Sequence, residues 1–231
     1  MTSITRNLIA GISKLFPNAV FYQQTSSKIL SLTIDDVGGD DTVEILDVID
    51  RFNQDIPNEQ DRIRATFFVI SEKVDGTRIL DEILNRGHEI GNHGHQDHFH
   101  AFLCPHDFES EINQTHEILS LNTVRSQIKW FRPGRALYNG GMLKILRKMT
   151  GYYAKFALAS LLPLDTYPIT NNPKFTIKYI SHFIFPGSIL LLHGGTSKRT
   201  ANTVEVLSTL LTQLREQAYK VVTLSELWES E

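Results

Sequence analysis

The chain has 231 residues, of which 41% are hydrophobic and 21% charged, with a formal net charge of −3. This composition is ordinary for a soluble globular protein, and without a basic excess it does not indicate a nucleic-acid or anionic-membrane partner. The single cysteine, Cys104, excludes an internal disulfide framework and fits a reducing compartment. Chains of this length often form one domain of alternating strands and helices.

An apolar stretch at residues 8–16 lies near the N-terminus. It is interrupted by polar residues and is shorter than the roughly 20 apolar residues that a membrane-spanning helix needs. It also lacks a clear small-residue cleavage site, so the sequence does not predict a signal peptide, and we expect a cytoplasmic protein by default. We expect residues 1–27 to be an extension whose short amphipathic helix packs on the rest of the fold.

Strand and helix patterns alternate along the rest of the chain. The predicted strands are 28–36, 64–70, 88–93, 128–132, 154–160, 188–193 and 220–224. The predicted helices are 42–53, 77–86, 108–121 with Asp107 as its N-cap, 142–148, 175–185 and 203–217. The almost purely aliphatic run at 188–193 is typical of a parallel strand buried on both faces. This alternation predicts a single parallel, barrel-like α/β domain.

Two aspartates, Asp35 and Asp36, end the first of these strands and precede Gly38 and Gly39. Neighbouring side chains on a strand point to opposite sides, so we expect different roles unless the backbone turns there. One carboxylate could bind a cation while the other takes a proton. Aspartate is also common after strands for local hydrogen bonding, so the pair alone does not decide between the two interpretations.

Histidines are concentrated after the third predicted strand, where six of the nine lie between His88 and His106. Imidazole and carboxylate groups suit a first-row divalent cation such as zinc. His93 and Asp97 are four residues apart, so one helical turn would let both reach one ion. A pairing of His93 with His98 would need a looser loop.

Two later strands also end in residues that can carry chemistry. Arg132 could hold a carboxylate in its ionised form, with Asp165 as the candidate brace, although a surface ion pair is the commoner role. His193 ends the aliphatic strand, which suits a general acid because imidazole titrates near neutrality, but a buried strand-end histidine fits equally well. Because the carboxyl ends of parallel strands lie on one face, we expect these groups to meet the acidic pair.

These segments together resemble the polysaccharide deacetylase family, the NodB-homology domain of carbohydrate esterase family 4. The similar segments are 32–36 (LTIDD), 64–68 (RATFF), 87–93 (GHEIGNH), 131–133 (FRP), 191–193 (LLH) and 219–225 (YKVVTLS), and the resemblance covers residues 28–228. It implies a distorted (β/α)₇ TIM-like barrel. It also implies metal-dependent removal of the N-acetyl group from amino sugars or oligosaccharides of the chitin or peptidoglycan type.

The resemblance implies a role for each site residue. The catalytic residues would be Asp35 as general base, His193 as general acid, Arg132 as the partner of Asp35, and Asp165 as the brace of Arg132. The metal ligands would be Asp36, His93 and Asp97, with His98 as the alternative to Asp97. The substrate-binding residues would be Leu191, which lines the acetyl pocket, Pro133 and Tyr138. The implied ion is Zn²⁺, with Co²⁺ or another divalent ion as the alternative.

The sequence departs from the family pattern at several positions. Asp97 stands where the family has a second histidine, Gly134-Arg135 replaces an aromatic residue, and Thr166 replaces a tryptophan after Asp165. These changes favour a small or unusual substrate. Two other hypotheses therefore stay open, a hydrolase of another small linear amide on the same fold and a catalytically degraded glycan-binding homologue.

Overall fold

The computed structural model describes residues 2–121, 127–163, 165–167 and 170–230. The strands in chain order are β1 (Ala19–Val20), β2 (Ile29–Val37), β3 (Ala65–Val69), β4 (Glu89–Asn92), β5 (Phe156–Ala157), β6 (Ile189–His193) and β7 (Lys220–Val222). The helices are α1 (Thr2–Leu15), α2 (Thr42–Asn53), α3 (Arg78–Asn85), α4 (Pro105–Ser120), α5 (Gly140–Leu146), α6 (Pro173–Phe183), α7 (Ser197–Glu216) and α8 (Leu224–Trp228).

The paired strands run parallel around a central strand, β2. It pairs with β3 on one side and β6 on the other, and β3 pairs with β4. Strand β7 pairs with the first residues of β2, and β1 pairs with β5. Isolated parallel bridges at Asn92–Phe131, Phe131–Phe156 and Leu161–Leu190 connect β4 through residues 156–161 to β6. This ring of pairings is a distorted (β/α)₇ barrel, and the predicted fold class is confirmed.

Apolar side chains cover both faces of the central strands. Helices α2 and α7 pack with each other and supply much of the outer cluster, which also holds Leu32 and Leu190 from the strands. The inner cluster, which includes Phe68, Trp130 and Leu191, fills the barrel. A strand buried on both faces is stable without alternating polar residues, which explains the aliphatic run of β6.

Several element boundaries differ from the sequence-based prediction. Helix α4 begins at Pro105, and the Cys104 sulfur accepts the Asp107 N–H at 3.5 Å, so the prediction of Asp107 as N-cap is wrong. Proline is favoured in the first turn, where its missing N–H has no partner to lose. Helix α7 begins at Ser197, six residues before the predicted start, because its first turn is polar and lies outside the apolar repeat.

The N-terminal residues are attached to the barrel through both a helix and a strand. Helix α1 lies against α6, and β1 extends the sheet beside β5. None of the helices in the described part of the chain combines the length and the apolar character that a membrane crossing requires.

Candidate active site

Alternation along two neighbouring strands decides which polar side chains face the barrel interior. On β6, Leu190 and Leu192 pack in the outer cluster, whereas Leu191 lies in the inner one. Because successive side chains alternate, His193 falls on the same side as Leu191. Asp35 and His193 are register partners on β2 and β6, so both are placed at the same mouth of the barrel.

Arg132 holds Asp35 inside the barrel. Its Nη1 donates to Asp35 Oδ1 at 2.6 Å and to Thr33 Oγ1 at 2.8 Å. Its Nε and Nη2 donate to the carbonyl oxygens of Ala157 and Leu158 at 3.0 and 3.2 Å. The side chains of Arg132 and Asp35 are only 2% and 4% exposed. Since buried charges need both a counter-charge and satisfied hydrogen bonds, this network fixes the position of the Asp35 carboxylate.

Asp36 departs from the alternation of β2 because its backbone is left-handed, with φ of +63°. This conformation is uncommon for a non-glycine residue. The turn brings Asp36 Oδ1 to 3.3 Å from His93 Nε2. The Asp36 carbonyl accepts from Lys73 Nζ at 2.8 Å, and Gly195 packs so closely on it that a Cβ there would overlap the oxygen.

His93 presents its Nε2 atom to both carboxylates of the acidic pair. Its Nδ1 lies 2.8 Å from the Arg132 carbonyl oxygen, which only accepts, so Nδ1 carries a proton. Burial lowers the pKa of His93, but the charge of Asp35 and the hydrogen bond with Asp36 raise it, and the net shift is upward. Burial alone would raise the pKa of Asp36, yet His93 holds that pKa well below its usual range. A positive charge, either a proton or a cation, is therefore favoured between these two groups.

His193 is oriented by Asp165. Asp165 Oδ1 lies 2.7 Å from His193 Nδ1, and Oδ2 accepts the His193 backbone N–H at 3.1 Å. Burial lowers the pKa of His193, but the hydrogen bond with Asp165 raises it, and the net shift is upward. The prediction that Asp165 braces Arg132 is wrong in this structure, because backbone carbonyls take that place around the guanidinium.

One pocket of about 160 Å³ is lined by the acidic pair Asp35 and Asp36 together with His93, Arg132 and His193. Two of the expected substrate-binding residues, Leu191 and Pro133, contribute to its wall. A cavity of about 150 Å³ is large enough for a benzene molecule, so a small acyl group fits whereas most of a sugar would lie outside.

Tyr138 was also expected in this wall, but its position is different. Its ring stacks on Phe156 with centroids 4.6 Å apart, in an apolar cluster with residues of α4 and α5, and it does not line the pocket. The reason is a turn after Pro133, in which both Arg135 and Ala136 have φ of +58° and redirect the chain.

Asp97 lies at the rim of the pocket but is paired with an arginine. Its Oδ1 and Oδ2 are 3.2 and 3.3 Å from Arg135 Nη2. The helical turn expected after His93 is absent, since residues 93–98 form an irregular loop with bends. Asp36, His93 and Asp97 consequently do not form a group with ligand atoms all within 4.8 Å of one another.

His98, the alternative third ligand, belongs to a separate cluster with His100 and Glu111. Within the described ranges, this is the group whose possible ligand atoms all lie within 4.8 Å. Glu111 Oε1 accepts the backbone N–H groups of residues 95 and 96 at 3.0 and 2.9 Å. His100 Nδ1 accepts the Gly134 N–H at 2.7 Å, so a neutral His100 carries its proton on Nε2 and has no lone pair there for a metal. We therefore assign the cluster to anchoring the loop on α4.

Arg199 contacts the site but was not found from the sequence. From the first turn of α7 its Nη1 donates to Asp36 Oδ2 at 2.9 Å. The available signal was Thr196, which caps the helix by accepting the Arg199 N–H at 3.3 Å. Leu158, Leu162 and Tyr167 also line the pocket and were not expected, because they follow a strand of only two residues.

A divalent cation fits the donors of Asp36 and His93. Zinc prefers such oxygen and nitrogen ligands, and bonds of about 2.0–2.2 Å at a tetrahedral angle put two ligand atoms roughly 3.4 Å apart. The observed separation is 3.3 Å. The hydrogen bond from His93 Nδ1 to a backbone carbonyl is typical of metal-binding histidines. Asp97 could join them only after leaving Arg135.

A parallel α/β barrel with an arginine–carboxylate pair and a histidine–carboxylate pair at the carboxyl ends of its strands has the layout of a hydrolase. The chain belongs to the polysaccharide deacetylase family, whose model matches residues 22–154.

The chain is similar to several known proteins of this kind. A peptidoglycan-N-acetylglucosamine deacetylase of Bacillus cereus is 28% identical in an alignment 213 residues long that covers 87% of this chain and 89% of that protein. A family 4 acetyl xylan esterase of Clostridium thermocellum, solved with a cobalt ion, has a TM-score of 0.73 and 25% identity over 87% of this chain and 90% of that chain. A carbohydrate esterase family 4 pseudoenzyme of Bacillus anthracis shares the fold, with a TM-score of 0.76 and 23% identity over 92% of this chain and 69% of that chain.

Proposed function

We propose that this protein is a metal-dependent hydrolase that removes acetyl groups from N-acetylated amino sugars in chitin- or peptidoglycan-type oligosaccharides. The observation that carries the proposal is that Asp35, paired with Arg132, and His193, which Asp165 orients from behind the wall, line one pocket. A protein that only binds glycan has no use for both pairs at once. The similarity to a peptidoglycan deacetylase supports the substrate class.

Asp35 is the proposed general base. Arg132 holds Asp35 Oδ1, while Oδ2 faces His93 Nε2 at 3.7 Å. The fixed carboxylate can take a proton from a water molecule as that water attacks the amide carbonyl carbon. Because Arg132 is already in place, no reorganisation is needed when the proton moves.

His193 is the proposed general acid. Against the effect of burial, the hydrogen bond with Asp165 shifts the pKa of His193 upward, which favours the protonated imidazole. Asp165 holds Nδ1, so Nε2 is the nitrogen that can donate a proton to the departing amine. Leu191 and Pro133 would contact the methyl group of the acetyl moiety.

Asp36 and His93 are the proposed metal ligands, with Asp97 as the proposed third. Zinc is the proposed ion, with cobalt or another divalent ion as the alternative. When bound, such an ion would polarise the amide carbonyl and lower the pKa of a water molecule. The protein supplies the carboxylate and imidazole donors.

Glycan binding without hydrolysis is a second candidate function. It is favoured by the arginines that already pair with Asp36 and Asp97. The shared fold with a pseudoenzyme is compatible with it. A third candidate, hydrolysis of another small linear amide, is favoured by the small size of the pocket.

Acetate release from short N-acetylglucosamine oligomers, with added Zn²⁺ or Co²⁺, tests the proposal. Asp35→Asn and His193→Gln should each lower kcat by about 10²–10⁴-fold. Asp55→Asn removes an exposed carboxylate distant from the pocket and should leave kcat unchanged. Oligomer binding without acetate release would support the second candidate. Hydrolysis of small amides but not of acetylated sugars would support the third.

A further inference from the structure

Each of the two carboxylates proposed as metal ligands already has an arginine as its counter-ion. Arg199 Nη1 lies 2.9 Å from Asp36 Oδ2, and Arg135 Nη2 lies 3.2 Å from Asp97 Oδ1. His93 has no such partner on Nε2 other than the acidic pair itself among the contacts described. The site is thus electrically balanced by side chains of the protein.

The backbone on both sides of the contact holds Arg199 near Asp36. Gly195, two residues before α7, packs against the Asp36 carbonyl, and Lys73 Nζ contacts that carbonyl at 2.8 Å and the Gly195 carbonyl at 3.5 Å. Thr196 then caps the helix at Arg199. The start of α7 is therefore fixed relative to Asp36, which keeps the guanidinium within reach of the carboxylate.

The Arg135 contact depends on an unusual turn. Arg135 and Ala136 are consecutive non-glycine residues in the left-handed region, both with φ of +58°. Such conformations are costly and persist only where the surroundings impose them. The guanidinium also lies 5.8 Å from the centre of the Phe99 ring, which supports its position over the loop.

Both arginines can leave their carboxylates without opening the core. The Arg199 side chain is 27% exposed and that of Arg135 is 42% exposed, in contrast to 2% for Arg132. A guanidinium bound to a carboxylate opposes a metal at the same group because it repels a second positive charge. Arg135 also contacts both oxygens of Asp97, whereas Arg199 contacts Oδ2 of Asp36 and leaves Oδ1 facing His93. Departure of the arginine removes this opposition.

We propose that Arg199 and Arg135 are internal counter-ions that oppose a divalent cation at Asp36 and Asp97. Cation binding is then weak in the resting protein, and recruitment of Asp97 is coupled to movement of the Arg135 side chain. This inference rests on the proposed metal centre, but it concerns the affinity for the ion and not the hydrolytic step.

Zinc affinity of the full chain, measured by competition with a chromophoric chelator and without substrate, tests the inference. Arg199→Gln and Arg135→Gln should each tighten zinc binding at least tenfold, and the double variant should bind more tightly than either. Arg199→Lys keeps the positive charge and should leave affinity within a few-fold of the wild type. Arg147→Gln makes the same change at an exposed position on another helix end and should have no effect.

Unchanged or weaker zinc binding in a folded Arg199→Gln variant would overturn the inference, because Arg199 would then orient Asp36 for the ion. Absence of zinc binding in all of these proteins would overturn it as well. Acetate release separates this result from the proposed function. Acetate release together with unchanged zinc affinity in the variants would support the proposed function and contradict the counter-ion inference. Tighter zinc binding in the variants without acetate release would support the counter-ion inference and contradict the proposed function.

Discussion

The two sides of the active-site pocket are held by ion pairs of different kinds. On the strand side, Arg132 and Asp35 are 2% and 4% exposed, and the Arg132 guanidinium makes four hydrogen bonds with other described residues. On the loop side, Arg135 and Asp97 are 42% and 33% exposed. A buried pair fixes geometry, whereas an exposed pair exchanges partners at little cost. The strands therefore position the proposed base and acid, whereas the loops carry the pairs that the proposed cation would have to compete with.

Among the predicted effects, replacement of the arginine on each side should give the largest difference in the free energy of unfolding. Arg132→Met should lower the free energy of unfolding by about 3–5 kcal/mol, because Asp35 is left buried without a counter-charge. Arg135→Met, the matched change on the loop side, should cost less than about 1 kcal/mol because that pair is partly exposed. Urea denaturation at pH 7 measures both. Equal losses would contradict the distinction.

A methyl group added on the strand side should also be costly. A Cβ at Gly91 would lie 2.6 Å from the ring of Phe68, which itself lies 3.9 Å from the Arg132 guanidinium. We expect Gly91→Ala to lower the free energy of unfolding by about 1–3 kcal/mol. Gly11→Ala in α1 has open space and should stabilise by up to about 1 kcal/mol. Thermal or urea unfolding that ranks the two variants the other way would count against this packing.

The effect of Asp165 on the pKa of His193, on the strand side, should be measurable in a pH profile of activity. The pKa of His193 is raised by Asp165, so the protonated form, which the proposed acid role requires, is present at low pH and is lost as pH rises through that pKa. Asp165→Asn removes the negative charge and should move the alkaline limb of kcat/KM for acetate release to lower pH. Asp55→Asn should not move it. An unchanged limb in Asp165→Asn would mean that His193 is not the acid.

The smallest expected effect is on the loop side, at Glu111. Burial raises the pKa of Glu111, but the nearby His100 imidazole and the hydrogen bond from the Gln96 N–H lower it to about 2 from 4.5. The ionised carboxylate therefore stabilises the fold above about pH 4.5, and this contribution is lost as pH falls towards 2. The stability difference between wild type and Glu111→Gln should be largest at pH 6–7 and should shrink at pH 3. A difference independent of pH would show that the charge has no role.

The sequence predicts the strand side better than the loop side, and the reason is physical. Alternation and aliphatic runs are local signals, so the ends of β2 and β6, with Asp35 and His193, are found without coordinates. The pairing of Asp165 with His193 and the contact of Arg199 with Asp36 depend instead on turns between distant segments of the chain. The left-handed positions Asp36 and Arg135 are not occupied by glycine or asparagine, so the sequence gives no signal for these turns. The four-residue spacing of His93 and Asp97 is also a local signal. It predicted a helical turn, but the loop that follows His93 does not form one.

The central claim is that Asp35 and His193 act on one amide bond. A double-mutant cycle on kcat/KM for acetate release, with Asp35→Asn, His193→Gln and both together, tests it most directly. Residues that act as a unit lose activity together, so the double variant should be little worse than the poorer single variant. Losses that multiply, or full activity in either single variant, would contradict the account.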